Sequence, residues 1–338
     1  MNSYKEKLKN ITRILLEEED EYGKIKDTCD DLFTLFLAAS ELKEDECSRK
    51  EYYLPKGKAI GTFWAGVCVK ELMRTKRFIR GIFFGIKKAQ EKFPDRTIHI
   101  LYAGTGPFAT LMLPITTVFS SKEIKFTLLE INQGSIEALK KIIKVFEVEE
   151  YVEEIVQCDA TEYKINKSKP VHMIITETMQ NALKNEPQVA ITFNLVPQME
   201  IEGILIPQNI DIEAALIDPK REMERTMGIE GAEGDFYYPL RKIFELNKES
   251  VKRVMKNKNY EFPETEIELS HIMEERYKRL SLLTTIQVFE GEKLTYKQCS
   301  LNLPYKIMDI DWRNNKWKKL RFQYVVSEKP GFIYKLQV

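Results

Sequence analysis

Near the start of the chain, apolar positions recur at helical spacing among many charges, first at Ile11, Ile14 and Leu15, then at Leu32, Leu35 and Phe36. Spacings of three and four turn one helix face inward, so residues 4 to about 48 predict two helices, the second followed by the polar turn LKEDECSRK. Residues 63–92 predict a further helical stretch, broken by Pro94. From Ile98 the texture changes to short apolar runs at 98–103, 126–130, 154–157, 171–176 and 203–207. Between the second and third, residues 135–146 are periodic at Ile136, Leu139, Ile142, Ile143 and Phe146, and predict a helix. Strands alternating with helices imply βαβ units and an α/β, doubly wound, mainly parallel Rossmann-like sheet. After Pro207, residues 210–217 alternate apolar and polar like a half-exposed antiparallel strand. A charged, largely helical segment is expected from about 219 to 259, and β-like runs return at 284–289, 305–308, 319–326 and 332–338. The predicted organisation is a helical segment (1–95), a Rossmann-like domain (96–207) and a β-rich domain with a helical insertion (208–338).

Two places in this frame carry chemistry. The first strand runs into Gly104-Thr105-Gly106-Pro107-Phe108 and then an apolar helix at ATLMLP. Glycines at a strand-to-helix turn permit positive φ and close approach of a ligand to the backbone. Glu130 ends the next strand, where a nucleotide-binding sheet places an acid for ribose hydroxyls. Asp159 and Ala160 close the third strand, where an acid beside a backbone N–H can meet an adenine edge. Pro107 and Phe108 interrupt the six-residue glycine pattern that binds a pyrophosphate, so an adenosine ligand without phosphates fits better than a dinucleotide. The second place is TETMQNALKNE, after the fourth strand, with Glu177 and Glu186 nine residues apart. Carboxylates on a loop at the carboxyl end of a strand can be solvated acids, or can cradle a planar cation. Guanidinium fits such a cradle best, because its N–H fork matches carboxylates bidentately.

Composition narrows the classes. The 338 residues leave room for one large core or two domains. Lys plus Arg and Asp plus Glu are 52 each, which gives no electrostatic case for nucleic acid or an anionic membrane as main partner. No apolar run is long enough to span a bilayer, and the start MNSYKEKLKN lacks a signal-peptide pattern. Five scattered cysteines without CxxC read as reduced thiols, and three histidines give no basis for a metal cluster. A soluble, cytoplasmic protein without a metal is expected.

The order GTGP, Glu130, Asp159 and a fourth strand into paired glutamates resembles class I S-adenosylmethionine-dependent methyltransferases, and within them the protein arginine methyltransferase group. Glu177, Met179 and Glu186 match that group's loop of two glutamates, the first followed closely by a methionine. The GxGP form and Asn185-Glu186 are most similar to the symmetric-dimethylating branch. The likeness covers residues 60–217 well and the tail in outline, where it implies a barrel. It implies S-adenosylmethionine bound by Gly104, Thr105, Gly106, Glu130, Asp159 and Ala160, with Arg80 or Arg74 on its carboxylate. Glu177 and Glu186 would be catalytic and, with Met179, hold the acceptor. Phe63, Trp64, Tyr102 and Phe108 are candidate walls, though such aromatics are more often core. The family's dimers imply a homodimer, docked through residues 219 to about 259 or the N-terminal helices.

Three departures accompany the resemblance. Tyr102 stands where an acid often precedes the glycine turn, the Thr-His-Trp signature is missing, with SLLTTIQVF as the comparable stretch, and the helical entry matches loosely. They turn the expectation away from a large protein substrate, and the chain is more similar to bacterial relatives that N-methylate the guanidine of free arginine, which implies a small guanidino compound as acceptor, with free L-arginine foremost. Methylation of arginine in a protein, and a non-catalytic methyltransferase-like scaffold, are the alternatives. A nucleic-acid methyltransferase is disfavoured, because TETM replaces a proline–aromatic loop able to hold a flipped base.

Overall fold

A computed structural model describes residues 3–229, 235–255, 262–269, 274–312 and 317–337. Helix α1 (Ser3–Leu16) buries Leu8, Ile11 and Leu15, and α2 (Tyr22–Ser40) buries Ile25, Cys29, Leu32, Leu35 and Phe36. Their inward stripes follow the helical period. A single turn, α3 (Glu46–Arg49), starts with a reciprocal cap in which the Asp45 carboxylate accepts from Ser48 N and Asp45 N donates to Ser48 Oγ.

The next segment departs from the expected all-helical entry. Strands β1 (Tyr52–Leu54) and β2 (Gly57–Ala59) form an antiparallel hairpin. Aromatic residues with a Pro-Lys-Gly turn favour extended pairing there. The stretch predicted as one helix is also two, α4 (Thr62–Val67) and α5 (Leu72–Lys92), parted by a tight turn over Cys68–Lys70.

Strand β3 (Ile98–Ala103) opens the central sheet, followed by β4 (Ile124–Glu130), α6 (Gln133–Val145), β5 (Val152–Gln157), β6 (Met173–Thr176), α7 (Gln188–Leu195) and β7 (Ile204–Ile206). The sheet order is β5-β4-β3-β6-β7, with every neighbour parallel. The side chains of β6 and β7 are wholly buried, as are nearly all of β3 and β4, as expected for strands covered on both faces. Register aligns Ala103 with Leu129 and with Thr176, so the carboxyl ends of β3, β4 and β6 share one edge. The helix expected at ATLMLP is instead a run of turns from Gly106 to Pro114. Ala109 has a φ of 42°, outside the helical well, and the prolines at 107 and 114 bracket the stretch.

The remaining chain holds β8 (Asn209–Ile217), α8 (Pro219–Thr226), β9 (Tyr237–Leu246), α9 (Lys248–Met255), β10 (Thr265–Glu268), β11 (Arg279–Phe289), β12 (Glu292–Leu294), β13 (Tyr305–Asp309), β14 (Lys319–Val325) and β15 (Gly331–Gln337). One antiparallel sheet runs β12-β11-β8-β9, with β13 also on β11, and a second runs β10-β14-β15. Phe244 of β9 links them, its ring centroid 4.9 Å from Tyr324 and 5.8 Å from Phe332. The expected helical insertion at about 219–259 is corrected here. Two short helices flank the ten-residue strand β9, whose YYPLRKIFEL mixes aromatic and branched residues suited to pairing with β8. Residues 230–234, 256–259 and 338 of these expectations lie outside the described residues. A continuous buried apolar cluster includes residues of the helical entry, the parallel sheet and the antiparallel sheets.

Candidate active site

The shared edge of β3, β4 and β6 opens on a cavity of about 590 Å³. Ligands of open α/β sheets bind at such a carboxyl edge. Gly104, Thr105, Gly106, Glu130, Asp159, Ala160, Arg74, Glu177, Met179 and Glu186 all line it.

One side is built by neighbouring strand ends. Gly104 and Gly106 have φ values of 75° and 60°. A Cβ at Gly104 would meet Thr178 Cγ2 at 2.3 Å, so both the turn and the close approach require glycine there. Glu130 is buried and accepts from Gly106 N at 2.8 Å on one oxygen, and from Ile131 N and Asn132 N at 2.9 Å on the other. Burial raises its pKa, opposed by those backbone N–H groups. Asp159 accepts from Thr161 N at 2.8 Å, and Asn194 Nδ2 donates to Ala160 O at 3.0 Å, fixing the turn after β5.

The other side is the loop from Glu177 to Pro187. Gln188 stitches its entry, donating to Thr176 O at 3.1 Å and accepting from Thr178 N at 2.9 Å. Ala182, Leu183 and Asn185 adopt left-handed φ, and distant segments hold them there. Ala182 N donates to Thr284 Oγ1 and the Tyr324 hydroxyl to Leu183 O; Asn185 N donates to Pro330 O and accepts at its carbonyl from Lys58 N. Glu177 is thereby set against Arg74, which donates from Nε at 3.0 Å and from Nη2 to the same carboxylate oxygen. The other Glu177 oxygen is buried without a hydrogen-bond partner among the described residues. Burial pushes the Glu177 pKa up to about 7, against the lowering by Arg74 and with a further push from Glu186. Glu186 is also raised by burial, while the Gln180 amide, 2.9 Å away, and Arg74 oppose it. For Arg74 burial works against its charge, yet Glu177 and Glu71 outweigh it and hold the guanidinium protonated.

Of the two candidate arginines, only Arg74 reaches the cavity. Arg80 lies six residues on, roughly 240° around the helix axis at about 100° per residue. Its Nε donates to Glu292 at 2.8 Å and its Nη1 to Leu16 O and Glu17 O at 2.5 and 2.7 Å. Arg80 therefore ties α1 and β12 to α5. Among the candidate walls, Trp64 and Tyr102 line the cavity, whereas Phe108 packs in the core against Phe33 and Phe36, and Phe63 rests on Trp64.

Sequence reasoning missed Glu71, Ser300, Lys58 and Lys184, all in the lining. Glu71 accepts from Arg74 Nη1 at 2.6 Å and from Ser300 N and Oγ at 2.8 and 3.0 Å. The Glu71-x-x-Arg74 spacing on a helix was the available signal. SLLTTIQVF is a strand, β11, and the β-rich part reaches the cavity instead through the loop after β12, with Ser300, Leu301 and Leu303.

No protein-family profile and no curated protein matches the chain. Among solved structures it is similar to the Trypanosoma brucei PRMT1 enzyme–prozyme heterotetrameric complex with AdoHcy, at 13% identity and a TM-score of 0.51 over 80% of this chain and 91% of that one. It also overlaps the open conformation of Arabidopsis thaliana protein arginine methyltransferase 10, at 11% identity and a TM-score of 0.48 over 76% of this chain and 86% of that one. The parallel sheet followed by antiparallel β-rich part is the fold of the arginine methyltransferases.

Proposed function

We propose that this chain is an S-adenosylmethionine-dependent N-methyltransferase acting on the guanidino group of arginine. The carrying observation is the half-satisfied Glu177. A buried carboxylate oxygen without a partner, in one cavity with Glu186, suits an incoming cationic N–H donor.

The glycine side suits the adenosine end of the methyl donor. Gly104 and Gly106 bring bare backbone to the lining, and the Glu130 oxygen that accepts from Gly106 N has a lone pair to offer a ribose hydroxyl. When bound, S-adenosylmethionine supplies a methyl group on a cationic sulfur that departs as a neutral thioether. Glu177 and Glu186 would grip the guanidinium from two corners and localise electron density on the nitrogen to be methylated. As the new bond forms, the reacting nitrogen loses its excess proton, and a carboxylate with a pKa of about 7 can receive it. Arg74, braced by Glu71, keeps Glu177 in place. Trp64 and Tyr102 narrow the cavity against water.

The likeness in fold to a PRMT1 complex with AdoHcy supports S-adenosylmethionine as donor and arginine within a protein as acceptor. Free L-arginine is the second acceptor, carried by a separate observation on Lys184. Incubation with S-adenosylmethionine and a panel of L-arginine, other guanidino compounds and Arg-rich peptides tests both. Single-methyl mass shifts on an arginine support the reading, and no methylation of any acceptor overturns it. A cytoplasmic homodimer completes the proposal, since symmetric pairs are the commonest oligomers; a monomer mass independent of concentration in light scattering would remove the dimer.

A further inference from the structure

The cavity is unequal in its ion pairing. Of its three basic side chains, Arg74 is held by Glu177 and Glu71, and Lys58 by Glu51 at 2.6 Å. Lys184 has no carboxylate within ion-pair distance among the described residues. Its ammonium stands over the Tyr305 ring, 4.3 Å from the centroid. Burial lowers its pKa, which means that its charge is desolvated without compensation by an acid. The ring face attracts the ammonium without neutralising it, so the positive charge is left for an anion.

Lys184 is also placed with respect to the acceptor. It sits two residues before Glu186 on the glutamate loop, whose backbone is pinned at Ala182, Leu183 and Asn185. Lys184 lines the same cavity as both glutamates, with its ammonium on the β13 side, over Tyr305. Free arginine has a guanidinium at one end of three methylenes and, at the other, a carbon bearing both an α-ammonium and the carboxylate that a lysine can take. An internal arginine of a polypeptide has an amide in place of that carboxylate.

We propose that Lys184 binds the α-carboxylate of a free guanidino amino acid, which makes that class an acceptor of this cavity and favours it over its decarboxylated form; this rests on the guanidino reading of the cavity. Lys184 is a specificity residue and touches no reacting atom.

The test compares L-arginine, agmatine, which lacks the carboxylate, and an internal-arginine peptide as acceptors for the wild-type chain and for Lys184→Met. Wild type should favour L-arginine over agmatine by about tenfold or more in kcat/KM, carried in KM, as for one charge-assisted hydrogen bond. In Lys184→Met that ratio should fall towards one, and Lys184→Arg should restore much of it. Equal use of L-arginine and agmatine by wild type overturns the proposal without any variant, as does a ratio unchanged in Lys184→Met. Methylation of the peptide alone overturns the Lys184 assignment and leaves the guanidino reading standing. Methylation of none of the three overturns both.

Discussion

Glu130 and Glu177 both stand at carboxyl ends of strands in one parallel sheet, both face one cavity, and they are satisfied in opposite ways. Glu130 takes three backbone N–H groups, two of them from the residues just after it and one from the glycine turn next door. Glu177 takes a guanidinium 103 residues away along the chain, and keeps one buried oxygen unpaired. A carboxylate fixed by adjacent backbone is a rigid acceptor that costs little to hold in place. One held by a distant side chain and left half-bonded stores a demand that a ligand can meet. The glycine side is therefore held rigid by its own backbone, while the glutamate loop, in the proposed reading, is left for an acceptor to complete.

The sharpest way to break this contrast is to remove charge from the acceptor side. Glu177→Gln and Glu186→Gln should each lower turnover on the order of a thousandfold, about 4 kcal/mol of transition-state stabilisation, with S-adenosylmethionine affinity nearly unchanged. Their double variant should lose much less than the sum, as for groups acting as one clamp. Near wild-type turnover in either single variant would show that glutamate to be a bystander.

Next in size is a change outside the cavity. Arg80→Met leaves Glu292 with only Arg77, and should cost about 3 kcal/mol of stability in denaturant titration. Because Arg80 braces the fold, methyl-donor affinity of the folded variant should hold; a selective loss of that affinity would return Arg80 to the site.

Glu130→Ala should weaken S-adenosylmethionine binding by about 2 kcal/mol in calorimetry, the worth of a charge-assisted hydrogen bond. Unchanged affinity would remove the adenosine assignment.

The last effect is read as a slope with pH rather than as a loss. Folding raises the Glu177 pKa from 4.5 to about 7 by burial, so the folded state holds its proton more tightly. That contribution to stability is complete below pH 4.5 and is lost as pH rises through about 7. The difference in Tm, wild type minus Glu177→Gln, should fall across this window, while kcat/KM rises as the carboxylate ionises. A flat difference in Tm would show that Arg74 already holds Glu177 ionised.

Much of the fold was legible in the chain because its signals are local. Five apolar runs became the five strands of the parallel sheet, and Ile136, Leu139, Ile142 and Ile143 line the buried face of α6. The glycine turn and Glu130 could be paired on paper, since both end neighbouring strands. Where local signals conflicted, reading failed: ATLMLP has helical composition but is bracketed by prolines, and the charges around YYPLRKIFEL masked a strand that exists through its pairing with β8.

By itself the sequence determined the strand order of residue types, the two glutamates at one strand end and the glycines at another. The tertiary structure alone decided which arginine meets Glu177, that Glu71 and Ser300 brace it, and that Lys184 has no acid partner among the described residues. Arg74 and Arg80 look alike in a helical segment, and only the direction each takes around α5, set by what packs on that helix, separates a cavity residue from a structural one. Burial does the same for Glu177: its raised pKa comes from the water excluded around it, which no stretch of neighbouring residues specifies.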